Sequence, residues 1–199
     1  HLDLVGLHSH IGSQIFDAAG FEIAAHRMAG LVAELVKDGI AIDELNLGGG
    51  MGIAYTEQDD PPQVSDMAKQ IQHILARECE LAGVPVPALA VEPGRAIVGS
   101  AGISVYEVGT VKPVDLGGRS RSYVSVDGGM SDNIRTALYG ADYTVVLANR
   151  SSQAPPVVSR VVGKHCESGD ILLHDAALPE DLCVDDIIAT PVTGAYGFA

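Results

Sequence analysis

Three short apolar runs, each ending in a polar or glycine-rich loop and the first two followed by helix-spaced stretches, constrain this chain more than any other feature. Leu4 to Leu7 reads as a buried strand running into His8-Ser9-His10-Ile11-Gly12-Ser13. Phe21, Ala24, Met28, Leu31 and Leu35 then recur at helical spacing until Gly39 supplies a stop. Asp43 to Leu47 is the next strand, with Gly48-Gly49-Gly50-Met51-Gly52 beyond it. After a break at Pro61-Pro62, Ser65 offers an N-cap to a second helix with Met67, Ile71, Ile74, Leu75 and Ala82 on one face, and Gly83-Val84-Pro85 ends it. Ala88 to Val91 is the third strand and leads into Glu92-Pro93-Gly94-Arg95. This alternation marks a (β/α) barrel or a doubly wound sheet, both of which keep ligands at the C-terminal ends of their strands. Three units are too few to close either.

From about Ile103 the period changes. Ser104–Val111, Arg121–Val126, Tyr143–Leu147 and Pro156–Val162 are β-branched runs separated by Gly, Pro, Asp and Asn turns, the pattern of an all-β domain. The expected organisation is therefore α/β followed by all-β, with domains at 1–102 and 103–199. No internal repeat beyond the β/α period and no low-complexity segment interrupts it.

The 199 residues, 47% of them apolar, suffice for one large domain or two modest ones with a real core. Twelve basic against 26 acidic residues give a net charge of −14 without a basic cluster, which disfavours nucleic acid as a partner. No run reaches 18 uninterrupted apolar residues and no basic n-region precedes an apolar h-region, so neither membrane insertion nor secretion is expected. Cys79, Cys166 and Cys183 fit neither a disulfide framework nor a zinc ribbon, and a reducing cytoplasm suits them. The chain opens on His1-Leu2-Asp3-Leu4 without an initiator Met and stops at Gly197-Phe198-Ala199, which reads as a segment cut from something longer.

Five stretches can carry chemistry. Pro93 fixes φ and Gly94 permits conformations closed to other residues, so the turn projects Glu92 and Arg95 from a strand end, where they serve either a ligand or a plain ion pair. Gly48-Gly49-Gly50 exposes successive N–H groups suited to a phosphate, or is merely a loose turn. His8 and His10 point the same way if the strand continues, but no third ligand sits at metal spacing, so an imidazole stacked on a planar ring is the better reading and no metal is expected. Arg135 and Tyr139, four apart, share a face of a helical turn and suit a carboxylate; the bland alternative is a surface pair. In Gly163-Lys164-His165-Cys166-Glu167-Ser168-Gly169-Asp170 a thiol lies between an imidazole and a carboxylate, a setting more functional than structural for a cysteine.

Taken in order, His-x-His-Ile-Gly-Ser-Gln, Gly-Gly-Gly-x-Gly, Glu-Pro-Gly-Arg, Asp-Asn-Ile-Arg-x-x-Leu-Tyr, Cys-Glu-Ser-x-Asp and Gly-Ala-Tyr closely resemble the meso-diaminopimelate decarboxylases, across residues 4–199. These belong to the fold-type III pyridoxal-phosphate group with ornithine decarboxylase and alanine racemase. The resemblance implies the C-terminal part of a (β/α)8 TIM barrel followed by a β-sandwich or β-barrel domain. It implies that His10 stacks on the pyridine ring, that Ser13 and Gly48, Gly49 and Gly50 hold the phosphate with Gly94 and Arg95 beside it, and that Glu92 pairs with the ring nitrogen. Arg95, Arg135 and Tyr139 match substrate-gripping residues, Cys166 the proton donor and Glu167 a substrate contact. The last two are supplied across a homodimer interface in this family, and Tyr196 matches a tyrosine touching cofactor and substrate.

One departure stands out. The family's Schiff-base lysine lies on an early barrel strand, whereas Lys37, Lys69, Lys112 and Lys164 all fall elsewhere. The first half of the barrel and the last part of the β domain are accordingly expected to lie outside this chain, the intact protein being the enzyme and the isolated piece inactive. Rival readings are a relative acting on ornithine, arginine or carboxynorspermidine, whose amine end would want acids where Arg135 and Tyr139 stand, and a catalytically silent cofactor-binding homologue.

Overall fold

The computed structural model describes residues 3–197; His1, Leu2, Phe198 and Ala199 at the two ends read above lie outside the described residues. Two compact units are present, one of His1–Ala54 with Gln58–Ile97 and one of Tyr55–Glu57 with Val98–Ala199. Residues 98–102, expected from the sequence in the first domain, thus group with the second, as do Tyr55–Glu57.

The first unit is built on a parallel sheet of three strands in chain order, β1 (Gly6–His8), β2 (Glu44–Asn46) and β3 (Ala88–Ala90), with helices α1 (Ala19–Lys37) and α2 (Val64–Ala82) between them. The register aligns Gly6, Glu44 and Ala88 in one row, Leu7, Leu45 and Leu89 in the next, and His8, Asn46 and Ala90 in the third. Successive side chains alternate between faces. The leucine row therefore meets the helices, in a core with Phe21, Ala25, Val32, Met67, Ile71, Leu75 and Cys79. Each fully buried aliphatic side chain of that core contributes about 1.5–3 kcal/mol. The opposite face carries small and polar residues, Glu44 exposed and Asn46 half-buried.

Three sequence expectations are corrected here. The first strand is not buried: Leu4 and Val5 are exposed and pairing begins only at Gly6. In α1 the buried stripe runs Phe21, Ala25, Met28, Val32, a clean 4-3-4 spacing that leaves Leu31 outside. At α2 the N-cap is Gln63 in extended conformation, with no side-chain cap bond, and Ser65 already lies inside the first turn. Gly83 does end that helix, in the left-handed region at φ 70°.

A short helix α3 (Gly94–Val98) and a single 3-10 turn (Gly99–Ala101) lead into the second unit. Its six strands are β4 (Ile103–Asp115), β5 (Ser120–Val126), β6 (Val146–Leu147), β7 (Pro156–Val162), β8 (Ile171–Pro179) and β9 (Ile187–Pro191), hydrogen-bonded in the order β6-β9-β4-β5-β7-β8. All pairs are antiparallel except β5 with β7. The long β4 pairs with β9 over Ile103–Glu107 and with β5 from Val108 onward, with a register shift between Val108 and Thr110 where the strand changes partner. Strands β8 and β9 are not expected from the sequence pattern, since His174-Asp175 interrupts the apolar run of β8 and β9 is only five residues long, and β6 is shorter than the Tyr143–Leu147 run. One helix interrupts the sheet, α4 (Arg135–Tyr139). Among the described residues no helix is long and apolar enough to cross a membrane.

Candidate functional site

The loops following β1, β2 and β3 are knitted together by backbone. Ser9 N–H donates to the Asn46 carbonyl at 2.9 Å, Leu47 N–H to the Ala90 carbonyl at 3.1 Å and Glu92 N–H to the Gly48 carbonyl at 2.9 Å. Gln14 stitches the first loop to the second, its amide bonding both the carbonyl and the N–H of Ile53 at 2.6 and 3.2 Å, beside an isolated bridge between Ile15 and Met51.

The triple glycine exists for this knitting. A Cβ on Gly48 would stand 2.4 Å from the Ser9 carbonyl oxygen, on Gly49 2.2 Å from that of Glu92, and on Gly50 2.3 Å from that of Gly12. Gly48 and Gly50 also hold φ of 74° and 101°, the left-handed region. The loop does not offer a simple row of N–H donors. Gly48 N–H donates to Asn46 Oδ1 at 2.8 Å and Gly49 N–H to His10 Nδ1 at 3.4 Å. Those two bonds fix the Asn46 amide and the His10 ring instead.

Glu92 and Arg95 each hold partners of their own. Glu92 Oε1 accepts the Asn46 amide N–H at 2.8 Å and lies 3.3 Å from His8 Nε2. Arg95, only 7% exposed, donates through Nη2 to Ser13 Oγ at 2.6 Å. The role given to Gly94 is corrected: its φ is not positive and a Cβ there meets nothing within 4 Å, so the turn asks no special freedom of it. His8 and His10 also diverge, since β1 ends at His8 and the two imidazoles bond different groups. Among the described residues no three His, Cys, Asp or Glu side chains gather as a metal site. His8, Asn46 and Glu92 line an open cleft of about 350 Å³ with Val5, Gly6, Leu7 and Glu44.

A carboxylate braced by an amide and an imidazole is the acceptor that a protonated ring nitrogen needs, and a buried guanidinium bonded to a hydroxyl is a donor pair for a phosphate. The residues at these strand ends therefore fit pyridoxal phosphate. Asn46, which orients both Glu92 and the Gly48 amide, and Gln14 were not singled out by sequence; Gln14 stood inside the quoted motif, and the alternation of β2 places Asn46 beside His8.

The second unit holds the remaining candidates. Arg135 is 8% exposed and Tyr139 75%, so the two side chains lie in different surroundings. The guanidinium turns inward, lying 4.5 Å from the Tyr55 ring centroid and 5.5 Å from that of Tyr143, with Nη1 donating to the Tyr143 hydroxyl at 2.6 Å. The two rings meet edge to face, centroids 5.0 Å apart. Among the described residues no carboxylate pairs with Arg135, so its cation is held by ring faces and a phenol, each such contact being worth about 0.5–2 kcal/mol. Helical spacing points to Tyr139, four residues away; Tyr143 and Tyr55 are brought in by the fold.

Cys166 and Glu167 occupy an exposed turn between β7 and β8, and the thiol is free. Both neighbouring side chains bond other groups. His165 Nε2 bonds Ser131 Oγ at 2.8 Å, and Glu167 Oε1 accepts from Ser168 Oγ at 3.2 Å and Gly169 N–H at 3.3 Å. Tyr196 is 63% exposed with φ 57°. In the Gly-Ala-Tyr motif the glycine has a packing reason, since a Cβ on Gly194 would stand 1.9 Å from the Val98 carbonyl oxygen. Of the lysines, Lys37 ends α1, Lys69 pairs with Asp66 within α2, Lys112 lies in β4 opposite Tyr123 and Lys164 precedes the cysteine turn. None stands at a strand end of the parallel sheet.

Residues 1–99 match the family model described as the pyridoxal-binding domain of the pyridoxal-dependent decarboxylases. The chain is 55% identical, over its whole length, to 46% of the diaminopimelate decarboxylase of Mycobacterium tuberculosis. It superposes with a TM-score of 0.86 on 42% of the diaminopimelate decarboxylase of M. jannaschii in complex with L-lysine, at 33% identity over 97% of the chain. On the Helicobacter pylori enzyme complexed with L-lysine the TM-score is 0.81, at 34% identity, covering 97% of this chain and 44% of that one. The chain thus spans about half the length of the relatives it matches, 46% in the first case.

Proposed function

The chain belongs to the pyridoxal-dependent decarboxylases, and from that premise we propose that the protein carrying it converts meso-2,6-diaminopimelate to L-lysine and CO2 with pyridoxal phosphate. We place it in the cytoplasm, as a homodimer whose sites are completed across the interface. The first unit is read as part of a (β/α)8 barrel, which its three parallel strands with intervening helices support, and the second as a β-sandwich or β-barrel, which a β4 shared between two partners supports.

The observation that carries the reading is the Glu92 carboxylate at the end of β3, oriented by Asn46 and His8 beside the Ser13–Arg95 pair. Arg95 and Ser13 would hold the phosphate, with the Gly48–Gly50 loop and Gly94 beside it. His10, its Nδ1 engaged by Gly49 N–H, would be the residue to pack on the cofactor ring. Glu92 would accept a hydrogen bond from the protonated ring nitrogen, a charge-assisted bond of about 1.5–3 kcal/mol. Pyridoxal phosphate, when bound, supplies a cationic ring that takes up the electron pair left as CO2 departs. Arg135 and Tyr139 answer the distal carboxylate of the substrate, Glu167 its distal amine, and Tyr196 contacts both substrate and cofactor. Cys166 delivers the proton to the carbon that has lost CO2.

The preference for diaminopimelate over ornithine or arginine follows from Arg135: a cation braced by two aromatic rings wants an anion, and an amine-ended substrate leaves it unanswered. The test is turnover by the pyridoxal-phosphate-loaded protein. Equimolar L-lysine and CO2 from meso-diaminopimelate are expected, with kcat/KM for L-ornithine and L-arginine lower by about 10⁴. Comparable turnover of either amine-ended substrate would overturn the assignment.

A further inference from the structure

Asp170 is 3% exposed, and both its oxygens are occupied by backbone donors from two different loops. Oδ1 accepts Met130 N–H at 2.6 Å and Oδ2 accepts His165 N–H at 2.7 Å. Met130 belongs to the Gly128-Gly129-Met130 turn that follows β5 and leads to Arg135; His165 directly precedes Cys166. The same junction carries Lys164 N–H on the Gly128 carbonyl at 2.9 Å and the Ser131 to His165 bond. Both loops are shaped around the carboxylate. A Cβ on Gly163 would stand 2.2 Å from Asp170 Oδ2, and one on Gly129 2.9 Å from Oδ1. Asp170 N–H in turn donates to the Glu167 carbonyl at 3.1 Å, so the carboxylate sits directly beneath the turn that it fixes.

We infer that Asp170 is a positioning residue: its carboxylate clamps the Cys166-Glu167 turn to the Gly128–Ser131 turn, and so sets the thiol and the Glu167 carboxylate relative to Arg135. The inference rests on the roles proposed above for those three residues. A buried carboxylate whose oxygens both accept N–H groups suits this task, because breaking either bond leaves a buried donor or acceptor unmet and neither turn can drift without doing so. The position four residues beyond Cys166 is set by the turn itself, which must close on the Glu167 carbonyl before the side chain can reach back under His165.

Hydrogen exchange on the holoenzyme reads the clamp directly. In the wild type the Met130 and His165 amides exchange together as protected sites; rates differing by more than about tenfold would overturn the inference even if every variant failed to fold. Asp170→Asn turns one carboxylate oxygen into a donor facing an N–H. Gly163→Ala displaces the side chain while keeping its charge. Both variants are expected to raise exchange roughly 10- to 100-fold in segments 128–132 and 163–170, leaving β4 unchanged. Their kcat should fall by up to about 100-fold, the cost of a misplaced reacting group, with a smaller rise in KM. Unchanged exchange in both segments of folded Asp170→Asn would refute the clamp. Exchange is read without substrate, so that failure is distinct from full activity in Cys166→Ala, which would overturn the role given to the thiol.

Discussion

Gly49→Ala tests the way the strand-end loops are assembled. The added Cβ would lie 2.2 Å from the Glu92 carbonyl oxygen and 3.2 Å from its carbonyl carbon, both backbone atoms that no rotamer change moves aside. A carbon and a carbonyl oxygen touch without strain at about 3.3 Å, so the Glu92 peptide must retreat by about 1 Å. That peptide is held on both sides, its N–H on the Gly48 carbonyl at 2.9 Å and its carbonyl by Gly94 N–H at 2.8 Å. Overpacking of this kind costs about 1–3 kcal/mol. The displacement also carries the Glu92 carboxylate away from Asn46 Nδ2, now at 2.8 Å, and a 1 Å error in a catalytic group lowers rates by up to about 100-fold. Scanning calorimetry of the full-length apoprotein and steady-state decarboxylation measure the two effects separately. Gly94→Ala is the internal control, since its Cβ enters open space without positive φ. It should leave the apoprotein melting temperature at or above wild type by removing chain entropy from the unfolded state. A Gly49→Ala protein that melts with the wild type and keeps its kcat would refute the packing argument.

Glu92→Gln should lower kcat far more than cofactor affinity, because the carboxylate acts on charge at the ring nitrogen; a raised KM with unchanged kcat would remove that role. Tyr143→Phe keeps the ring against Tyr55 but removes the hydroxyl 2.6 Å from Arg135 Nη1, so KM for diaminopimelate should rise roughly tenfold, equivalent to about 1.4 kcal/mol, with the fold intact by circular dichroism. Asp186, 3% exposed, is held well below the ordinary carboxylate range by its bonds to Arg150, against the opposing effect of burial and with help from Cys183 N–H and Asn149. A lowered folded pKa adds stability above about pH 4 that is lost as pH falls through the folded value, so the gap in melting temperature between wild type and Arg150→Met should shrink from about pH 5 downward. Mixing inactive Cys166→Ala with inactive Glu92→Gln should restore about a quarter of wild-type activity if sites are shared between subunits, half the dimers being mixed with one intact site each. No recovery despite subunit exchange by native mass spectrometry would place Cys166 in its own chain's site.

What was legible in the sequence was local. The β/α alternation, the glycine ending α2 and the order of the strand-end loops follow from spacing within some twenty residues, and the structure keeps them. Errors arose where a tertiary neighbour decided the outcome. Leu31 satisfies helical spacing as well as Val32 does, and only the position of the sheet and α2 selects Val32 for burial. Gly94 looks like the indispensable turn residue beside a proline, yet the strained and crowded glycines are Gly48 to Gly50, whose neighbours come from loops about forty residues away on either side. Strands β8 and β9 escaped notice because their partners β7 and β4, not their own composition, make them strands.

The same distinction separates the site residues that motifs revealed from those they did not. A motif marks the groups that meet a ligand, such as Glu92, Arg95 and Cys166, because their chemistry is unusual for the position. The groups that aim them are chemically ordinary in sequence. Asn46 is one polar residue in a strand, Tyr55 and Tyr143 are aromatics in loops, and Asp170, although it closes the Cys-Glu-Ser-x-Asp motif, is by itself an acid in a turn. Each becomes meaningful only through a distance: 2.8 Å from Asn46 Nδ2 to Glu92, 4.5 Å from the Tyr55 ring to Arg135, 2.7 Å from Asp170 to His165 N–H. A substitution at an aiming residue should therefore leave binding chemistry in place and act through geometry, which is why the tests of Tyr143 and Asp170 pair kinetics with a readout of structure.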